Sequence, residues 1–118
     1  MDENSEHRNL VLNFIRAFEM GDLSTIDRLL APNFRDWRKT YGEMSRNEFL
    51  RTLEILFAAR QSCAVNVTSA LSEGDAVAAE MNIHIDVDGE HLDLALHNLF
   101  FIEDGLITAL REYGDDAG

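Results

Sequence analysis

The sequence has one cysteine, one proline and one tryptophan. With no second thiol in the chain, Cys63 cannot close an internal disulfide, and a reducing, cytoplasmic setting is expected. Long apolar runs are also missing. Stretches such as Leu99-Phe100-Phe101-Ile102 fall far short of the roughly 20 residues that cross a bilayer. The opening Met-Asp-Glu-Asn-Ser-Glu is acidic and polar, the reverse of a secretory signal, which supports the same compartment. Basic charge is scarce and badly distributed. Residues 1–60 carry nine Lys/Arg against ten Asp/Glu, whereas residues 61–118 carry only Arg111 against twelve acids, so the net charge of −12 comes almost wholly from the second half. A surface that tracks phosphates needs clustered Lys/Arg. No nucleic acid and no anionic membrane is therefore expected among the partners.

What remains is an ordinary globular composition, 46% apolar and 27% charged over 118 residues, enough for one domain spanning 1–118 and too short for two. Three helices come first. Leu10, Val11, Phe14, Ile15 and Phe18 form one apolar stripe on a helix over about 5–20, with Ser5 as its cap and Gly21 as its left-handed stop. Leu23, Ile26, Leu29 and Leu30 mark a short helix over about 23–31, ended by Pro32. Ser45-Arg46-Asn47-Glu48 reads as a capping box opening a third helix to about Arg60, with Phe49, Leu53, Leu56 and Phe57 inward. Asn33–Gly42 between them is expected to be a short strand and a loop.

After Arg60 the apolar period becomes two. Cys63, Val65 and Val67 alternate with polar residues, and so do Met81, Ile83, Ile85 and Val87. Glu73-Gly74-Asp75, Asp88-Gly89 and Glu103-Asp104-Gly105 are turns, and Leu106–Tyr113 is the last strand. Residues 1–4 and 114–118 are expected to fray. Asp88-Gly89 is a two-residue hairpin signal. It sets Val87 opposite Glu90, then Ile85–Leu92, Ile83–Leu94, Met81–Leu96, Ala79–Asn98 and Val77–Phe100 on one face, apolar except for Asn98. The other face pairs Asp86 with His91, His84 with Asp93 and Glu80 with His97. Cross-strand partners lie about 5 Å apart at Cβ, so each imidazole should meet an acid, which raises its pKa. No helical His-x-x-x-His accompanies these histidines, and the reading is acid–base pairing with no metal.

Two segments carry a family likeness. One runs from Phe18-Glu19-Met20-Gly21-Asp22-Leu23 through Leu30-Ala31-Pro32-Asn33-Phe34. The other is Phe-Phe-Ile-Glu-Asp-Gly-Leu-Ile followed by Arg111-Glu112-Tyr113. With the order of elements, they resemble the SnoaL-like, ketosteroid-isomerase-like branch of the nuclear-transport-factor-2-like superfamily. The resemblance implies an α+β fold, three N-terminal helices packed on a curved, mainly antiparallel sheet that forms a cone-shaped pocket, a cystatin-like α+β barrel. It implies a small apolar molecule as ligand, no cofactor and no metal.

In that likeness Asn98, Thr108, Leu110 and Glu112 point inward from the last strands, Asp36 and Arg38 from the first, and Phe14 and Phe18 close the pocket. Met81, Ile83, Leu94 and Leu96 are walls, and Trp37 and Tyr41 rim the mouth. Phe14 stands where ketosteroid-isomerase-like members have Tyr, Asn98 where they have the hole's Asp, and Arg38 where they have the base. Glu112 matches the inward carboxylate of limonene-epoxide-hydrolase-like members. Two functions follow: a cofactor-free isomerase, cyclase or hydrolase with Glu112 or Asp36 as general acid/base oriented by Arg38 and Asn98, or a non-catalytic ligand-binding or dimerisation domain. Ala95, His97, Leu99 and Phe101 put apolar groups on the outer sheet face, and a homodimer through that face is expected.

Overall fold

The computed structural model describes residues 2–114. Met1 and residues 115–118, part of the expected frayed ends, lie outside the described residues.

Helix α1 (Glu3–Met20) starts earlier than its apolar stripe implied. Asp2, not Ser5, is the cap; its carboxylate accepts from the Ser5 N–H at 2.7 Å, and Ser5 lies inside the first turn. Glu3 and Glu6 in that turn suit the positive end of the helix dipole. Residues 3 and 4 are thus helical, contrary to the expected fraying. At the other end Gly21 takes φ 72°, and its N–H reaches the carbonyls of Ala17 and Phe18. That left-handed stop is strained for any side chain with a Cβ. Asp22 caps α2 (Leu23–Leu29) through Thr25, and this helix ends two residues sooner than expected. Leu30, Ala31 and Pro32 already belong to β1 (Leu30–Arg38), because a residue before proline is pushed to extended backbone. After a turn, Gly42–Ser45 forms β2, a short strand that the sequence reading did not include, paired antiparallel to β1. Ser45 then caps α3 (Arg46–Ala59) with the reciprocal Glu48 bond of a capping box, as the sequence implied.

Four longer strands follow: β3 (Arg60–Glu73), β4 (Ala76–Val87), β5 (Glu90–Glu103) and β6 (Leu106–Gly114). The β4–β5 register agrees with the Asp88-Gly89 hairpin pair for pair, from Val87–Glu90 to Val77–Phe100. The sheet order is β2-β1-β6-β5-β4-β3. The β1–β6 pairing is parallel and the rest antiparallel, in one curved, unclosed mixed sheet with the three helices packed against it. The core lies in the concavity. Phe14 meets Phe100 edge-on at 5.5 Å, Phe34 lies 5.0 Å from Phe49, and Val11, Ile26, Ile102 and Ile107 are fully buried around them. Burying a side chain of that size is worth about 1.5–3 kcal/mol, so these aromatics hold helices to sheet.

Candidate active site

The parallel pairing of β1 with β6 assembles the polar part of the concave face. It sets Asp36 beside Leu110 and Arg38 beside Glu112, while β5 sets Asn98 beside Glu112 from the other side. Three neighbouring strands thus contribute one row, Asn98–Glu112–Arg38, with Asp36 two residues back on the same face. Arg38 donates from Nη2 to Glu112 Oε1 at 2.7 Å. The Asp36 carboxyl lies close enough to that of Glu112 for the two to interact. Of the two acids that Arg38 could orient, its ion pair is with Glu112.

Exposure separates the roles. Asp36 is 1% exposed and Asn98 8%, whereas the side chains of Glu112 and Arg38 are 14% and 42% exposed. Burial raises the Asp36 pKa most, the hydrogen bond and like charge of Glu112 raise it further, and Arg38 opposes them; the result is about 9. The Asp36 carboxyl is therefore neutral at pH 7. Burial pulls the Arg38 guanidinium down, but the Glu112 and Asp36 carboxyls outweigh it and keep the cation firmly charged. Asp36 Oδ1, Asn98 Oδ1 and Glu112 Oε2 are buried and have no hydrogen-bond partner.

The apolar residues divide into two sets. Phe14, Met81, Ile83 and Leu110 are buried in the core, and Phe18, Leu94 and Leu96 pack against it half-buried. Two expectations change. Trp37 alternates to the convex face, where its ring lies 5.4 Å from Tyr113 with the Arg111 guanidinium 4.8 Å away, so it does not rim the concavity. Thr108 sits at the β5–β6 register shift and donates to the Phe101 carbonyl at 3.3 Å, and Ile107 takes the core position instead. Tyr41 is 64% exposed beyond β1, its ring 5.6 Å from the Arg38 guanidinium, so it stands near the site's charged end. Two open grooves, of about 460 and 420 Å³, lie elsewhere: between β1 and the start of α3 at Phe34, Arg35 and Arg46, and between α1 and β3 at Leu12, Arg16 and Val65. Neither touches the polar row.

Sequence reading missed Arg60. Its guanidinium sits 4.5 Å from the Phe57 ring and 5.3 Å from Phe18, and donates to the Phe18 and Glu19 carbonyls at the end of α1. A cation following α3, near an aromatic pair, was the available signal. On the convex face His91 pairs with Asp86, His84 with Asp93 and His97 with Glu80, as the register required. Hydrogen bonds from Asp86 and then Asp93 raise the His91 pKa. Ligating atoms of His84, His91 and Asp93 lie within 4.8 Å of one another, fully on the exposed side.

Three helices packed on one face of an open, curled mixed sheet define a cone-shaped α+β class. The SnoaL-like domain family matches residues 11–110, and the chain belongs to that family. No curated protein sequence matches it. Among solved structures it is similar to an LEH-like epoxide hydrolase from M. tuberculosis, with a TM-score of 0.87 at 20% identity, covering 97% of this chain and 86% of that one. It is also similar to a candidate SnoaL-like polyketide cyclase from a Jannaschia species, with a TM-score of 0.79 at 19% identity over 98% and 91% of the two chains. A protein of ketosteroid isomerase-like fold from Catenulispora acidiphila, in complex with trimethylamine, gives 0.78 at 18% identity over 88% and 83%. At such identities these likenesses speak for the fold.

Proposed function

We propose that the chain is an enzyme acting on a small apolar molecule by general acid–base chemistry, with Glu112 as the group that takes and returns the proton. One observation carries this reading: two carboxyls meet on the concave face, Asp36 almost fully buried and Glu112 partly exposed and held by Arg38. Arg38 holds Oε1 of Glu112, and Oε2, which has no hydrogen-bond partner, is the base in this reading. Neutral Asp36 is too buried to meet substrate and acts through Glu112, as a positioning residue that stores a proton beside it. Asn98 flanks the same carboxylate. An isomerase, cyclase or hydrolase of this kind needs neither metal nor cofactor. The epoxide hydrolase and cyclase likenesses above are consistent with such a reaction.

A second reading has its own support. Phe14, Met81 and Leu110 already fill the deep part of the concavity, and the two grooves described above lie away from the acids. The fold would then hold a ligand without turning it over. In either case we assign the homodimer contact to the convex face, where Leu99 and Phe101 are only half-buried beside Ala95 and His97, and the lone Cys63 fits a reducing cytoplasm. No helix of the described residues is long and apolar enough to cross a membrane.

The test is a pH–rate profile on steroid, epoxide and polyketide-like compounds, repeated with Glu112→Gln. General-base catalysis predicts a loss of about 10²–10⁴-fold in kcat. Turnover that survives the substitution sinks the enzymatic role of Glu112, and a ligand retained without turnover favours the second reading.

A further inference from the structure

The convex face of the β4–β5 hairpin carries a cluster that the acid pair does not use. The register sets His84 opposite Asp93 and Asp86 opposite His91, and alternation turns all four side chains away from Glu112. Asp93 Oδ1 meets a ring nitrogen of each imidazole, His84 Nδ1 at 2.5 Å and His91 Nε2 at 2.8 Å. The two rings are nearly parallel, 11° apart in plane with their centroids 6.4 Å apart. Behind His91 stands a second layer of support. Its Nδ1 lies 2.7 Å from Asp86 Oδ1, and Ser62 Oγ donates to Asp86 Oδ2 at 2.5 Å. A neutral imidazole has a single N–H. Given to Asp86, that hydrogen leaves the Nε2 lone pair of His91 aimed at a carboxylate oxygen, acceptor facing acceptor. A cation between them turns both into ligands, and the carboxylate–imidazole pair that orients such a ligand is already built.

We propose that His84, His91 and Asp93 bind a divalent transition-metal ion of the zinc class, with Asp86 and Ser62 orienting His91 and water completing a tetrahedron. Two imidazoles and one carboxylate are a zinc-type donor set, whereas magnesium and calcium favour oxygen alone. Bonds of about 2.0–2.1 Å give a tetrahedron with edges of about 3.4 Å, so the two short contacts open by under about 1 Å. Exposed side chains make that movement freely. The surrounding charge favours a cation, with one basic residue against twelve acids over residues 61–118. A helical His-x-x-x-His is one way to gather two imidazoles; the hairpin does it with His91 and Asp93 two apart on β5 and His84 facing them from β4. The expectation of no metal rested on the helical spacing alone. A second cluster, Glu3, His7 and Asp75, offers one imidazole, whose Nδ1 is engaged by the Gly74 carbonyl. Bound at the hairpin, the ion ties β4 to β5 near the Asp88-Gly89 turn, on the far side of the sheet from Glu112.

The experiment titrates zinc chloride into the full chain, cleared of metal by a chelator, with calorimetry for affinity and NMR of the histidine rings for location. The expected result is one ion per chain, a Kd at or below about 10 µM, and ring shifts at His84 and His91. His84→Ala and Asp93→Ala should each weaken binding by at least about ten-fold. Asp86→Ala touches no ligand atom of the ion and should still weaken it about 10–100-fold, by freeing the His91 ring. His7→Ala should leave the affinity unchanged, and magnesium chloride should not compete. All of these side chains lie at the surface of the hairpin or of α1, so the variants keep the fold. No binding at about 100 µM zinc overturns the inference. So does an affinity that survives His84→Ala and Asp93→Ala, one that ignores Asp86→Ala, one that falls in His7→Ala, or one that magnesium equals.

Discussion

Replacing Asp36 by Asn should change how stability depends on pH, with a computable sign. The Asp36 pKa is raised from 3.8 to about 9 in the folded chain. Between those values the native state binds a proton that the unfolded state has released. By linkage, stability then falls as pH rises through the window, by up to about 1.4 kcal/mol per pH unit. From about pH 5 to about pH 8 the ceiling is about 4 kcal/mol. Relaxation around an ionised Asp36 lowers this, and about 1–3 kcal/mol is the expected range. Asp36→Asn keeps the shape, cannot ionise and can donate its amide to Glu112. The variant should therefore gain on the wild type as pH rises, and the gap should close towards the acid side. Urea unfolding of both proteins across that range reads the difference directly, with the m-value as a check on two-state behaviour. The shifts at His91, Asp86 and Asp93 occur in both proteins and cancel in the comparison. A constant gap at every pH, or a wild type that gains on the variant as pH rises, would refute the neutral-carboxyl account.

Other outcomes follow from the same packing. Phe14→Ala removes a ring wedged between Phe49 and Phe100 and should cost about 3–5 kcal/mol in chemical denaturation; under 1 kcal/mol would mean the core closes differently. Ser45→Ala opens the capping box of α3 and should cost about 0.5–2 kcal/mol, with no change at the Asp36–Glu112 pair when that site is followed by NMR. His91 should titrate above its ordinary value, and Asp86→Asn should bring it back down; an unmoved midpoint would mean the convex-face pairs are not formed in solution.

Local chemistry made much of this fold legible. A two-residue turn at Asp88-Gly89 forces the β4–β5 register, because a one-residue slip would send Met81, Ile83 and Ile85 to the wrong face. The Ser45–Glu48 spacing fixes a helix start for the same kind of reason. Non-local pairings were harder. Nothing near Arg38 in the chain says that it lies beside Glu112, since β1 and β6 meet in parallel across 74 positions of sequence. The family likeness placed both side chains inward and could not say which acid the guanidinium would take. Trp37 shows the limit from the other side. Its odd position on β1 turns it away from Asp36 and Arg38 by simple alternation, a rule that outweighs the appeal of an aromatic near a pocket. Thr108 was misplaced because a register shift, which no turn residue announces, hands its inward position to Ile107.

The central claim is that Asp36 is a neutral carboxyl buried beside Glu112. The direct measurement is the titration of the Asp36 carboxyl carbon by NMR in the labelled wild-type chain, assigned by its disappearance in Asp36→Asn. The account predicts a carboxyl still protonated at neutral pH, with its midpoint near 9. A midpoint in the ordinary aspartate range, about 4, would contradict it.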